Sequence, residues 1–206
     1  MDMKALRTIC LLAAFMLPGM VTFSQCKQVS GDISVLKGQS VINLQFDYSK
    51  MGVGKYKDEA DYISDKTASM NKKKPGDGDR WAEAWKNDRT ARFQPMLEKS
   101  LNDRLSKFNV SCKEDATDAK YTIIIRTVFT EPGYNAGITR ENAWIKLEVD
   151  IVETSNPSNV LASLEMRRED SISMMGYDFD TGGRIQSAYD RAGGHLGAFL
   201  DKEVFK

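Results

Sequence analysis

Between residues 121 and 167 polar and apolar side chains alternate, and this constrains the fold more than anything else in the chain. In 121–130, Tyr121, Ile123, Ile125 and Phe129 share one parity. In 143–152, Ile145, Leu147, Val149 and Ile151 alternate with Trp144, Lys146, Glu148 and Asp150. Successive strand side chains point to opposite faces, so both stretches read as half-buried strands. A third run, 160–167, follows the turn-forming Asn156-Pro157-Ser158-Asn159. Residues 40–48 add an earlier strand with Ile42, Leu44, Phe46 and Tyr48 inward and Asn43, Gln45 and Asp47 outward.

Two stretches carry helical periodicity. In 81–108, Trp81, Trp85, Phe93, Leu97, Leu101, Leu105 and Phe108 form one apolar stripe. Arg89 interrupts it, Asp79 stands where an N-cap would, and Pro95 is expected to kink or divide the helix. In 184–204, Ile185, Ala188, Tyr189, Ala192, Leu196, Phe199 and Leu200 share a side. Gly193, Gly194 and Gly197 each cost ~1 kcal/mol relative to Ala in a helix interior. A close approach of this helix backbone to the sheet is the expected compensation. Residues 51–80 read as a polar loop or insertion, in which 59–63 and its sequel can form a helix of a few turns, with a breaker at 72–79 and a solvated Lys72-Lys73-Lys74 run. The order strand, helix, three strands, helix predicts an α+β, two-layer fold. It comprises a four-stranded, mostly antiparallel mixed sheet with two helices on one face.

The first residues predict export. Lys4 and Arg7 precede an apolar run at 9–17, then Pro18-Gly19 and small residues at Thr22 and Ser24. This is the pattern of a signal peptide over 1–24, leaving one domain over 25–206. The apolar run is shorter than the ~20 residues of a membrane-spanning helix. Cys26 also sits where a bacterial lipoprotein carries its anchor, although Gln25 replaces the small residue usual before it. If Cys26 is not acylated, it and Cys112 are candidates for a disulfide in an oxidising compartment. Two thiols and the single His195 are too few ligands for a thiolate–imidazole metal site.

Of 29 basic and 29 acidic residues, Lys4, Arg7 and Asp2 leave with the signal, giving the mature chain a net charge of −1. That balance argues against nucleic acid as a partner. Gly52-Val53-Gly54-Lys55 follows a strand but lacks the earlier glycine and following Ser or Thr of a phosphate loop. Asp178-Phe179-Asp180 resembles the start of a calcium loop, but Gly182 and Tyr189 occupy later ligand positions. His195 lies in the last helix without a nucleophile-elbow sequence and reads as a helix-surface histidine. No cofactor motif is present, and no catalytic or metal residue is assigned.

Two partner-binding candidates follow. The outward sheet parity mixes Ile124, Val128, Val152 and Leu161 with Arg126, Lys146, Glu148, Asp150, Glu165 and Arg167, and places Trp144 at its centre. The charges are expected to form cross-strand pairs on a solvated face. Tryptophan and arginine are typical interface anchors; the alternative is that the loop or the leader folds over Trp144. The second candidate is the long connection 131–142, with Tyr134 and Arg140 as its natural contacts.

The motifs 46–49 (Phe-Asp-Tyr-Ser), 53–55 (Val-Gly-Lys), 81–85 (Trp-Ala-Glu-Ala-Trp), 118–121 (Asp-Ala-Lys-Tyr) and Pro132-Gly133 resemble those of uncharacterised exported proteins of Bacteroides-type bacteria. The element order is similar to the amino-terminal domain of the Tol–Pal propeller protein (TolB) and to the periplasmic domain of the curli-secretion lipoprotein. The likeness implies an envelope location, periplasmic or outer-membrane-associated. Pore formation, which the curli-type protein would imply through its lipobox and barrel-forming insertion, is not carried over, because the lipobox here is poor and no barrel strands are evident. The expected function is a non-enzymatic binding or adaptor module for an envelope protein. The alternatives are a carboxylate-based hydrolase of envelope glycan or peptide, and a subunit of an envelope assembly.

Overall fold

The computed structural model describes residues 25–135, 139–172 and 180–206. The expected signal peptide, Asp178 and the tip of the 131–142 connection lie outside the described residues. The main sheet has seven strands rather than four. They are β1 (Cys26–Gly31), β2 (Val41–Asp47), β3 (Gly52–Val53), β4 (Ser111–Glu114), β5 (Tyr121–Glu131), β8 (Trp144–Glu153) and β9 (Asn156–Asp170). Their order is β1-β9-β8-β5-β2-β4, with β3 paired to the far end of β5. β6 (Tyr134–Asn135) and β7 (Arg140–Glu141) form a separate two-stranded sheet. The expected four-stranded, two-helix architecture is thereby corrected. β3 and β4 are too short for alternation to register, and only Cys26 of β1 is buried.

The antiparallel β5-β8-β9 meander is fixed in register by the inward set Ile123, Ile125, Ile145, Leu147, Val149, Ile151, Ala162, Leu164 and Met166, all nearly inaccessible. A one-residue slip would move that set to the other face. β2 joins parallel to β5 with Leu44 opposite Ile123. A bulge between Thr127 and Phe129 resets the parity, so Phe129 falls beside Lys146 on the open face instead of on the inner one.

The polar segment 51–80 is largely helical. It holds α1 (Glu59–Lys73), capped by Asp58, whose Oδ1 accepts the Ala60 amide at 2.8 Å, and the start of α2 (Asp77–Asp88). α1 buries no residue fully, which is why its apolar pattern is faint. Gly76 precedes α2 in the left-handed conformation, so Asp79 lies in the first turn and accepts from Asn71 instead of capping. A π-helical turn over Arg89–Phe93 joins α2 to α3 (Gln94–Leu105). Pro95, without an amide to donate, stands just after this widened turn.

α4 (Thr181–Leu200) lies beside α3. A Cβ on Gly193 would stand 2.3 Å from the Leu97 carbonyl oxygen, and one on Gly197 would meet the Arg104 side chain at 2.7 Å. The close approach allowed by these glycines is therefore to α3, not to the sheet, and Gly194 faces open space.

Cys26 and Cys112 lie on the two opposite edge strands of the sheet. Five strand spacings of ~4.8 Å separate them by about 24 Å. A disulfide needs Cα atoms within about 7 Å, so the expected pairing is not formed within one chain. Both thiols are buried, and desolvation pushes each up to about 12.

The β4 edge is closed by a side chain. Asn102 of α3 donates to the Cys112 carbonyl at 2.6 Å and accepts the Cys112 amide at 2.7 Å. Asn102→Ala leaves both backbone groups unpaired in a part-buried place, with an expected loss of about 1–3 kcal/mol in chemical denaturation. It also opens an edge for pairing with another chain, so aggregation during refolding is expected to rise.

Candidate functional site

The open face of the sheet is a lattice of paired charges. Arg126 lies between Asp150, to which it is directly hydrogen-bonded, and Asp47 at 3.6 Å. The Ser163 hydroxyl donates to the other Asp150 oxygen at 2.6 Å. Arg167 and Lys146 both reach Glu165, at 3.0 and 3.1 Å, and hold its carboxyl below the usual range. Arg126 is thus a structural tie within the sheet rather than an unpaired anchor. Ile124 and Val152, expected on this face, are buried.

Trp144 stands at the start of β8, at the end of the open face and not at its centre. It stacks on Phe129, with ring centroids 4.6 Å apart, and the Arg168 guanidinium lies 4.9 Å from its ring. Arg168 is oriented by Asp170 at 2.9 Å. This Phe129–Trp144–Arg168 stack exists because the bulge in β5 turned Phe129 outward.

The β6–β7 tongue starts beside this corner. Its base is held by Arg184 of α4, which donates to the Pro132 and Gly133 carbonyls at 3.3 Å each. Glu131 accepts the Gly133 amide at 3.1 Å, and Gly133 adopts φ +61° where a Cβ would strike the Glu141 carbonyl at 2.4 Å. Tyr134 is 48% exposed, and Arg140, opposite Asn135 in the tongue, is exposed as well. The tongue therefore presents an aromatic and a cation from a braced base next to the tryptophan.

Sequence reasoning missed a cleft of ≈ 530 Å³ between the end of β2, the start of α1 and the end of α2. Glu59 Oε1 accepts from Trp85 Nε1 at 2.7 Å and pairs with Arg89. The Arg89 guanidinium covers the Tyr48 ring at 4.3 Å. Burial pushes the Tyr48 phenol up to about 12, partly offset by Tyr189, Arg89 and Gln94. Behind it Tyr189 stacks on Phe93 and its hydroxyl meets Thr127 Oγ1 at 2.6 Å. The one available signal was Arg89 breaking an otherwise apolar stripe.

His195 is not merely a surface residue. Its Nδ1 lies 2.6 Å from Oε2 of Glu169, a carboxylate with no exposed surface. The Glu169 charge adds to the desolvation that raises the Cys26 thiol. Among the described residues no group of three or more His, Cys, Asp or Glu could hold a metal ion. No helix among them is long and apolar enough to cross a membrane.

No protein-family model matches the chain, and no curated relative matches it. Among solved structures it is similar to the PelC dodecamer of Paraburkholderia phytofirmans. For a point variant of that protein the TM-score is 0.38 at 11% identity, covering 83% of this chain and 97% of that one. In a second crystal form the TM-score is 0.36 at 10% identity, covering 81% and 96%. It is also similar to protein XCC0632 of Xanthomonas campestris, of family DUF330, with a TM-score of 0.32 at 11% identity, covering 78% and 81%. Overlaps this loose carry no conclusion about the present chain.

Proposed function

We propose that this protein is an exported envelope module that binds a protein partner at the Trp144 corner, without catalysing a reaction. The observation that carries the reading is the Phe129–Trp144–Arg168 stack, half-exposed beside a tongue bearing Tyr134 and Arg140. Aromatic and arginine side chains, pre-packed so that little rotamer entropy is lost on docking, are the groups that dominate binding energy at protein interfaces. The charges around them are already paired, so a partner need not compensate them.

A hydrolase would need a carboxyl held protonated near neutral pH opposite an ionised one. In the cleft, Asp47 is shifted the other way, first by the Ser49 amide and further by Arg126, and Glu59 is tied to Arg89 and Trp85. Those contacts favour the binding reading.

Trp144→Ala is the test. Partner recovery from envelope extracts on the immobilised mature protein is expected to fall at least tenfold, or about 1.4 kcal/mol. The thermal midpoint should change little, since Trp144 is outside the inner core. Unchanged recovery would remove this corner from the account.

A further inference from the structure

We infer that the cleft between β2, α1 and α2 is a separate binding site for an uncharged oligosaccharide. Its wall is built. The Glu59–Arg89 pair keeps only 16% and 22% of its side-chain surface in water, and the Trp85 indole and the Tyr48 ring fix it from two sides. The π-helical turn begins at Arg89 and sets where that guanidinium points. Such turns recur at functional sites.

The lining selects the chemistry. Phe46, Met51 and Ile63 give the cleft an apolar floor suited to the C–H face of a sugar ring. Both bonds to Glu59 go to Oε1, which leaves Oε2 as an acceptor at the wall, and Asp58 uses only Oδ1 on its helix. Ser64 and Lys86 add exposed polar groups at the rim. Carboxylate acceptors beside hydroxyl and ammonium donors match vicinal hydroxyls, which both donate and accept.

The charges of the cleft itself form no strong single-sign field. It is lined by three acids, Asp47, Asp58 and Glu59, and two bases, Lys86 and Arg89. Glu59 and Arg89 are paired with each other. Little net charge is left to attract a polyanion or a polycation.

The test is an amide-resolved NMR titration of the mature protein with cellotetraose and maltotetraose. Tetragalacturonic acid and the glucosamine tetramer serve as charged counterparts. At least one neutral sugar is expected to shift amides within 46–51, 58–64 and 86–89 saturably, with the charged tetramers weaker by about tenfold or more. Ser64→Trp, at an exposed position on α1, fills the cleft and should abolish those shifts while leaving the remaining spectrum in place. Trp144→Ala should leave the titration unchanged, which separates this site from the partner corner. The inference is overturned by no saturable shift with either neutral sugar, by equally tight binding of a charged tetramer, or by shifts that survive Ser64→Trp.

Discussion

His195→Ala is expected to destabilise the fold by about 3 kcal/mol, and Glu169→Gln in the same chain to recover most of that loss. Glu169 is wholly buried in β9, its Oε2 is held by His195 at 2.6 Å, and its Oε1 is without a partner among the described residues. Removing the imidazole leaves a carboxylate in the core with nothing to answer its charge. Breaking a buried pair from one side typically costs about 3–5 kcal/mol. The lower end applies because His195 keeps 34% of its side chain in water. Near 200 residues, that corresponds to a fall of roughly 6–12 °C in thermal midpoint. The amide of Glu169→Gln has no charge to strand, so the double variant should melt close to the single Glu169→Gln. A double variant as unstable as His195→Ala would show that His195 acts by packing.

Gly193→Ala and Gly194→Ala should move stability in opposite directions although they are neighbours on one helix. The added methyl at 193 meets the Leu97 carbonyl oxygen at 2.3 Å and the Leu101 amide nitrogen at 3.1 Å, so α3 and α4 must separate. Overpacking of this kind costs about 1–3 kcal/mol. At 194 the methyl enters open space, and the gain from a stiffer unfolded chain and better helix propensity is about 0.5–1 kcal/mol. Urea denaturation of both variants gives the two signs. A stabilising Gly193→Ala would mean that the helices are not in contact there.

These contrasts mark what the sequence could disclose. The meander was legible because Ile145, Leu147, Val149 and Ile151 face one side without interruption, and burial on a single face writes itself as a period of two. β3 and β4 were not legible, and residues 26–39 read only as a leader peptide or a short edge strand, the second of which β1 is. β3 and β4 are shorter than the window in which alternation accumulates, and β1 buries too little to be patterned. α1 was legible as a helix of a few turns starting at 59–63 but without an end point, since it packs through half-buried Tyr62 and Ile63 rather than through a full apolar stripe.

Site residues divide the same way. Trp144, Tyr134 and Arg140 stood out as large groups at polar positions, and they lie at or beside one corner. Arg126 stood out on the same face yet is spoken for by Asp150 and Asp47; the alternation announced that these charges pair across strands, but which acid meets which base depends on register. The contribution of Phe129 was hidden by a bulge, and a one-residue insertion leaves no local mark. The Tyr48–Arg89–Glu59 arrangement joins residues from three elements, so no spacing in the chain announces it.

The most direct measurement replaces Tyr134 with a photo-cross-linking benzoylphenylalanine in the living cell, with Glu83 on α2 replaced in parallel. The account predicts one discrete protein adduct from position 134, lost when Trp144→Ala is combined with it, and no such adduct from position 83. An adduct from 134 that persists without the Trp144 ring, or the same adduct from both positions, would contradict it.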